Sequence, residues 1–384
     1  MQRRLELDAA RGLMLVWMTL THLPTKASVA ANQTFGFVSS AEGFIFLSAL
    51  FTGLIYRRMS LKQGVGAMGR RIWSRTFRLY IYHIFLLAFA FIVAVPIAAS
   101  GKRQGLYYLL DYYFIAGAKH AIVNGALLIY RPPLLDILPM YIFFLLFTPV
   151  VLFAGVRKKW GWVLGISFAL WLAAQFGFRQ ISHAFAVRHL GLTIPLNEMG
   201  AFDLWAWQFL WVLGLWFGTR WAEDNMPTRA WASKLLVPAA IVAPILLALR
   251  YAVGTKIELG IFEVCFDKWH LGAVRLIDFA AISVLLICFP SVLQKLSVRP
   301  LILMGQASLQ VFCVHLLFCF GGLTLLGNAT MLSAWQQIML LIVTFTGLLM
   351  TAVAFPKEKV ARGESHSGIA GVYRSWQRTL LGPQ

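Results

Sequence analysis

Residues 5–24 read LELDAARGLMLVWMTLTHLP, an apolar stretch that nevertheless carries Asp8, Arg11 and His22. Its length is that of a helix crossing a bilayer. Ionisable side chains at membrane depth are costly and usually functional. Helical rise separates Arg11 and His22 by about 16 Å along the axis, roughly half of the ~30 Å hydrocarbon core. One helix therefore places a cation toward one leaflet and a titratable imidazole toward the other.

The composition excludes a soluble protein. Hydrophobic residues make up 59% of the 384 residues and charged residues only 13%, which is too little charge to cover a soluble surface. The net charge of +19 would indicate nucleic acid in a soluble protein, but membrane topology explains it better, so no nucleic-acid partner is predicted. The four cysteines have no metal-like spacing, and we predict no disulfide framework, metal site or bound cofactor.

The pattern predicts an all-α, polytopic integral membrane protein with ten transmembrane helices. The apolar runs are 5–24, 36–56, 76–99, 134–155, 160–177, 203–219, 234–252, 271–290, 300–321 and 332–355. With the N-terminus inside, inner segments hold 22 Lys and Arg residues and outer loops nine, which favours N-in and C-in. Residues 1–356 are then a membrane domain, and 357–384 a basic cytoplasmic tail that can lie on anionic lipid.

Glu42 and His22 are predicted to meet near the outer leaflet. His22 ends the first span, Glu42 begins the second, and about a dozen residues join the two spans. A carboxylate on one imidazole nitrogen fixes the tautomer and raises the basicity of the other nitrogen, as in a general base. The alternative is a structural pair that only ties two helices together.

The segment 57–78 carries seven cations and no acid. Positive-inside topology accounts for several of them, but the cluster also suits an anionic cytosolic ligand with several phosphates, such as coenzyme A or a lipid head group. The predicted binding residues are Arg57, Arg58, Arg70, Arg71, Arg75 and Arg78. Arg11 could join them, or could instead snorkel to the interface or pair with Asp8.

Three further polar positions lie in or beside later spans. Asp136, beside two prolines at the start of span four, is expected to help shape an outer acceptor pocket. His315 in span nine is either a structural imidazole or a part of that pocket. Asp278 is expected to pair with Arg275 through their i,i+3 spacing and to have no catalytic role.

Several blocks of the chain resemble a known family. Residues 7–23 resemble the opening of the membrane acyltransferases of acyltransferase family three, whose signature is an Arg and a His separated by ten residues, here Arg11 and His22. More closely, the chain resembles the OpgC group of ten-span inner-membrane proteins that succinylate osmoregulated periplasmic glucans. The blocks that carry this are AEGFIFLSALFTGLIYRR (41–58), RPPLLDILPMYIFFLLFTPV (131–150), WQFLWVLGLWFG (207–218) and LMGQASLQVFCVHLL (303–317).

The resemblance implies a bacterial inner-membrane O-acyltransferase. Its donor would be a cytosolic acyl-CoA, succinyl-CoA in the best-known members, used as a co-substrate, and its acceptor a periplasmic glucan hydroxyl. By this carry-over His22 is catalytic, and Glu42 stands where the group places an acid. Arg11 matches the motif arginine, with a role either in the acyl-CoA site or in the structural support of that site. The chain reads FLSALF where the group often has FLSG, so helix packing there is expected to differ. Related acyltransferases can dimerise, so the oligomeric state stays open, with a homodimer as one alternative.

Three functions compete at this stage. The favoured one is direct acyl transfer within the membrane domain, either with His22 as a general base or through an acyl-histidine intermediate. A transporter or flippase for a glycan or an acylated intermediate would also need ionisable residues along its path. A structural subunit would leave His22 and Glu42 without a purpose. The acyl group and the acceptor sugar stay open.

Overall fold

A computed structural model describes residues 5–100, 104–223, 229–253, 260–327 and 332–355. The regular structure of this part of the chain is helical, apart from one isolated β-bridge, Phe35 to Val38, and the described residues form no β-strand. The predicted all-α class is therefore confirmed. The tail predicted at 357–384 lies outside the described residues.

The helices follow one another with short connections. The first half contains α1 (Leu5–His22), α2 (Ala27–Ala31), α3 (Ser40–Phe89), a π-helical turn (Ala90–Ala94), α4 (Val95–Ala99), α5 (Gln104–Leu109), α6 (Asp111–Ala116), α7 (Ala118–Ala126), α8 (Ile137–Val156), α9 (Trp160–Gln175) and α10 (Phe178–Leu190). The second half contains a 3₁₀ turn (Leu196–Met199), α11 (Leu204–Ala222), α12 (Arg229–Lys234), α13 (Leu236–Val253), a 3₁₀ turn (Gly260–Phe262), α14 (Glu263–Phe266), α15 (Ala273–Cys288), α16 (Pro290–Lys295), α17 (Arg299–Gln306), α18 (Ser308–Leu325) and α19 (Ala334–Ala354).

Four helical segments of the described chain are long and apolar enough to cross a membrane. They are Ser40–Ala99, Ile137–Val156, Ser308–Leu325 and Ala334–Ala354, and the pair α9 and α10, bent by 85°, makes a fifth if it counts as one span. All ten predicted runs coincide with helices, but ten crossings and their orientation stay predictions. The predicted single run 300–321 is interrupted at Ala307, where α17 ends and α18 begins.

The long helical segment α3 is a hairpin. Its two arms meet at Gly64, whose φ of 84° and ψ of 166° are not helical and which, as a glycine, tolerates this backbone without strain. Arg75 Nη1 in the second arm donates to Thr52 Oγ1 in the first at 3.2 Å, a contact that a straight helix could not make. The basic residues 57–78 therefore surround one turn at one end of the bundle.

Glycines allow α1 to touch α17 backbone to backbone. A Cβ on Gly12 would strike the carbonyl oxygen of Leu301, and a Cβ on Gly305 would strike the carbonyl oxygen of Asp8. Small residues at helix crossings permit this close approach in membrane proteins. The contact sets the position of Arg11, which follows Asp8 by three residues, and of Ser308, which follows Gly305 by three.

The close crossing of α1 and α17 predicts that two glycine-to-alanine substitutions have very different effects on stability. Gly305→Ala forces α1 and α17 apart, so it should lower the free energy of unfolding by about 1–3 kcal/mol, the usual cost of overpacking. Gly165→Ala in α9 is the matched control, because nothing lies within 4 Å of its Cβ position. Thermal unfolding of the two purified variants in detergent measures the difference. Equal melting temperatures would contradict the close crossing.

Candidate active site

One face of α1 carries both signature residues. Arg11, Leu15, Met18 and His22 follow one another at spacings of three and four, so they line one side of the helix. Leu15 and Met18 are buried between the two polar ends, and Arg11 is buried as well, whereas His22 keeps part of its surface exposed. The helix therefore carries a cation and an imidazole on one face, eleven residues apart, and their depth in a membrane stays a prediction.

His22 is hydrogen-bonded to a second histidine. His22 Nδ1 lies 3.3 Å from His315 Nε2, and His315 Nδ1 lies 2.6 Å from the carbonyl oxygen of Phe312. That carbonyl only accepts, so His315 Nδ1 carries the proton. His315 is fully buried, where an unpaired charge is costly, and as a neutral ring it accepts at Nε2. His22 then donates from Nδ1, and its Nε2 is left with a free lone pair.

Glu42 does not contact His22, contrary to the sequence prediction. Its Oε2 accepts from the backbone N and Oγ of Ser39, at 2.9 and 2.6 Å, in a capping box that begins α3. Its Oε1 accepts from Nε of Arg275 at 2.8 Å and also from Nη2. Both carboxylate oxygens are thus occupied, and both side chains of this ion pair are fully buried. His22 and Glu42 therefore have different partners from those expected.

Arg275 likewise departs from its expected partner. It reaches across to Glu42, while Asp278 Oδ2 accepts from the backbone N of Phe37 at 2.7 Å. The i,i+3 spacing does place Arg275 and Asp278 on one helix face, but the Arg275 guanidinium donates to the carboxylate of Glu42 on another helix. The ion pair therefore ties α3 to α15.

Two separate spaces share Arg75 in their lining. The first, named here the arginine opening, has a volume of ≈ 160 Å³ and is lined by Tyr56, Arg71, Ser74, Arg75 and Arg78. The second, the inner cavity, has a volume of ≈ 60 Å³ and shares Arg75 with the opening. Its polar lining consists of Arg11, Ser48, Arg75, Tyr141 and Ser308, and its apolar lining of Phe44, Ile45, Leu79, Ile137, Leu138, Leu309 and Phe312.

The inner cavity is lined by cationic groups and hydroxyl groups. Arg11 Nη2 donates to Ser308 Oγ at 2.6 Å, and Arg75 Nη2 donates to Tyr141 Oη at 2.7 Å. The buried hydroxyl of Ser48 has no hydrogen-bond partner among the described residues. Two guanidinium groups and three hydroxyls therefore line the space, and none of the described lining residues is acidic. Phe312, which lines the cavity, stacks edge-on against His315 at 4.9 Å between ring centroids.

The predicted cation cluster divides into two groups. Arg71, Arg75 and Arg78 line the arginine opening. The other three predicted residues do not line either space: Arg57 Nε donates to Glu223 at 2.8 Å, and Arg58 and Arg70 lie elsewhere on the hairpin.

A further polar group gathers at the His22 end, and sequence reasoning missed its centre. The ammonium of Lys268 interacts electrostatically with His22, Glu42, Asp136 and Arg275, and we call these five residues the outer cluster. Asp136 Oδ2 also accepts from the backbone N of Ala201 at 3.1 Å. The members come from α1, α3, α15 and the segments before α8 and α15, so no local motif could reveal them.

The Glu42–Arg275 ion pair predicts that the stability losses caused by substituting its two residues are not additive. Glu42→Met or Arg275→Met alone leaves a buried charge unpaired and should cost about 3–5 kcal/mol of stability, whereas the double variant should cost clearly less than either single change. Thermal unfolding in detergent measures all three. Additive losses would contradict the buried pair.

Comparison with known proteins identifies the family of this chain. A family model described as OpgC protein matches residues 3–362, nearly the whole chain. No curated protein and no solved structure matches the chain significantly. The match extends through the arginine opening, the inner cavity and the outer cluster. The chain therefore belongs to the OpgC family, which indicates a membrane-associated acyltransferase that modifies osmoregulated periplasmic glucans.

Proposed function

We propose that this protein transfers a succinyl or similar acyl group from cytosolic acyl-CoA to a hydroxyl of a periplasmic glucan, with His22 as the general base. Three features support the proposal: the inner cavity between α1, α3 and α18, the arginine opening in α3 that shares Arg75 with it, and the His22–His315 pair eleven residues along α1 from Arg11. A route with cations at one end and a base at the other suits a donor and an acceptor that arrive from opposite sides.

The anionic part of the donor is assigned to the arginine opening and the inner cavity. Guanidinium groups bind phosphate oxygens in bidentate geometry, and Arg71, Arg75 and Arg78 converge on the opening. Arg11 and His22 are about 16 Å apart along α1, which is comparable with an extended pantetheine arm. A diphosphate near Arg11 and Arg75 would then put the thioester near His22.

The chemical step follows from the tautomer of His22. His22 Nε2 removes the proton from the attacking glucan hydroxyl as its oxygen forms a bond to the thioester carbonyl carbon. The resulting tetrahedral intermediate collapses, the carbon–sulfur bond breaks, and the thiolate of coenzyme A takes the proton back from His22. His315 is a positioning residue in this scheme, because it holds the His22 Nδ1 proton and leaves Nε2 basic. Glu42 positions Arg275 and begins α3.

The topology belongs to the same proposal. Ten spans with both ends in the cytoplasm of the bacterial inner membrane put the Gly64 turn inside, where acyl-CoA is made, and the outer cluster outside. The excess of Lys and Arg in the inner segments supports this orientation. The membrane domain over 1–356 and the cytoplasmic tail over 357–384 are proposed with it.

His22→Ala should abolish glucan acylation without loss of the fold. A general base contributes about 100- to 10,000-fold, so kcat should fall by at least about 100-fold while the melting temperature changes little. The matched control is His189→Ala, since His189 is exposed and has no contact with the pair. Transfer of labelled acyl groups from succinyl-CoA to purified glucan measures the rate. A folded His22→Ala variant with the wild-type rate would overturn the proposal.

Arg71→Gln and Arg78→Gln should weaken donor binding. Loss of one charged contact to phosphate costs about 1.5–3 kcal/mol, so the KM for acyl-CoA should rise about 10-fold or more in each variant, with a smaller change in kcat. Lys62→Gln is the control, because Lys62 is an exposed cation of the same hairpin that lines neither space. An equal rise of the KM in all three variants would indicate that acyl-CoA responds to the general positive charge of the hairpin and not to a specific binding site.

A further inference from the structure

The hydroxyl of Ser48 differs in its hydrogen bonding from other buried hydroxyls of this bundle. Thr19, Thr52 and Thr76 each donate to the carbonyl oxygen one helical turn back, at 2.7 to 3.0 Å, which satisfies a hydroxyl inside a helix. Ser48 is only 1% exposed, yet its Oγ has no hydrogen-bond partner among the described residues. Because a buried hydroxyl without a partner destabilises a fold, a partner is expected from a ligand in the inner cavity, which Ser48 lines.

The two guanidinium groups of the inner cavity are held beside the turn of α3 that follows Ser48. Thr52 Oγ1 donates to the carbonyl oxygen of Ser48 at 2.7 Å and accepts from Nη1 of Arg75 at 3.2 Å, and Thr52 lies about 6 Å from Ser48 along the helix axis. The guanidinium carbon of Arg11 lies 5.2 Å from the centroid of the Phe51 ring. One hydroxyl and two cations therefore come together in one part of the cavity wall.

The size and the lining of the cavity suit a diphosphate group. Its volume of ≈ 60 Å³ is several times the ~10–15 Å³ that one enclosed water needs. A diphosphate diester carries two negative charges, which equals the number of guanidinium groups in the lining, and such groups bind phosphate oxygens in bidentate geometry. The ionised phosphate oxygens accept hydrogen bonds and donate none, so a serine hydroxyl beside them acts as the donor.

We propose that Ser48 is a further donor-binding residue, whose hydroxyl donates a hydrogen bond to the diphosphate of coenzyme A bound at Arg11 and Arg75. This inference rests on the proposed use of acyl-CoA and names the group that recognises its diphosphate. The ribose phosphate is then left for Arg71 and Arg78 in the arginine opening. Because the diphosphate does not change during acyl transfer, this hydrogen bond lowers the Kd of the donor equally in the ground state and in the transition state.

The test compares three variants of the full-length protein in detergent: Ser48→Ala, Thr344→Val and Arg78→Gln. Thr344 is the matched control, because it is also fully buried and its hydroxyl also lacks a hydrogen-bond partner within the described chain, but it lines neither space. Calorimetric titration measures the Kd of coenzyme A and of dephospho-coenzyme A, which keeps the diphosphate but lacks the ribose phosphate. Thermal unfolding without ligand measures stability.

Ser48→Ala should raise the Kd of both ligands by the same factor, about 10-fold or more, because a hydrogen bond to a charged group is lost from both. Arg78→Gln should raise the Kd of coenzyme A alone, and Thr344→Val should change neither. Without ligand, the melting temperatures of Ser48→Ala and Thr344→Val should equal or exceed that of the wild type, since each change removes a buried hydroxyl that the fold leaves unsatisfied.

Three results would overturn the inference. They are an unchanged Kd in Ser48→Ala, an effect confined to coenzyme A, and a lower melting temperature of the ligand-free Ser48→Ala variant, which would mean that the fold itself uses the hydroxyl. The measurements need no glucan. A wild type that binds coenzyme A but transfers no acyl group to glucan would refute the proposed function and leave the role of Ser48 in binding intact.

Discussion

The arrangement of the candidate site depends on one packing constraint, the backbone contact of α1 with α17. Gly12 and Gly305 leave no room for a side chain at the crossing, so the two helices have a single relative position. Because α18 continues from α17 after the break at Ala307, this contact also sets Ser308 against Arg11 and His315 against His22. Both ends of the proposed route are therefore fixed by the same crossing.

The polar groups within this apolar bundle are joined in ways that limit the cost of burying charge. Glu42 and Arg275 neutralise each other, and the capping box of Ser39 satisfies the remaining carboxylate oxygen. The imidazole of His22 is oriented by a neutral histidine, which buries no net charge, whereas a carboxylate would have to be desolvated. The described lining of the inner cavity contains two arginines, Arg11 and Arg75, and no acidic side chain, which suits an anionic donor.

The sequence predicted the parts of this site that depend on spacing within one helix. Arg11 and His22 share a face because a separation of eleven residues is just over three helical turns. Partners on different helices were harder to predict: the proximity of the two outer helix ends suggested His22 with Glu42, yet the rotation of α1 turns His22 toward α18. Lys268 gave no signal, because an isolated lysine in a loop resembles any surface cation, and its position depends on contacts with α9 and α11.

The central claim is acyl transfer across the bundle, and reconstituted vesicles test it most directly. Labelled succinyl-CoA would be enclosed inside proteoliposomes that contain the protein, with glucan present only outside. The account predicts that label accumulates covalently on the outer glucan while free coenzyme A appears inside. Export of intact labelled donor, or unlabelled glucan beside active, correctly folded protein, would contradict it.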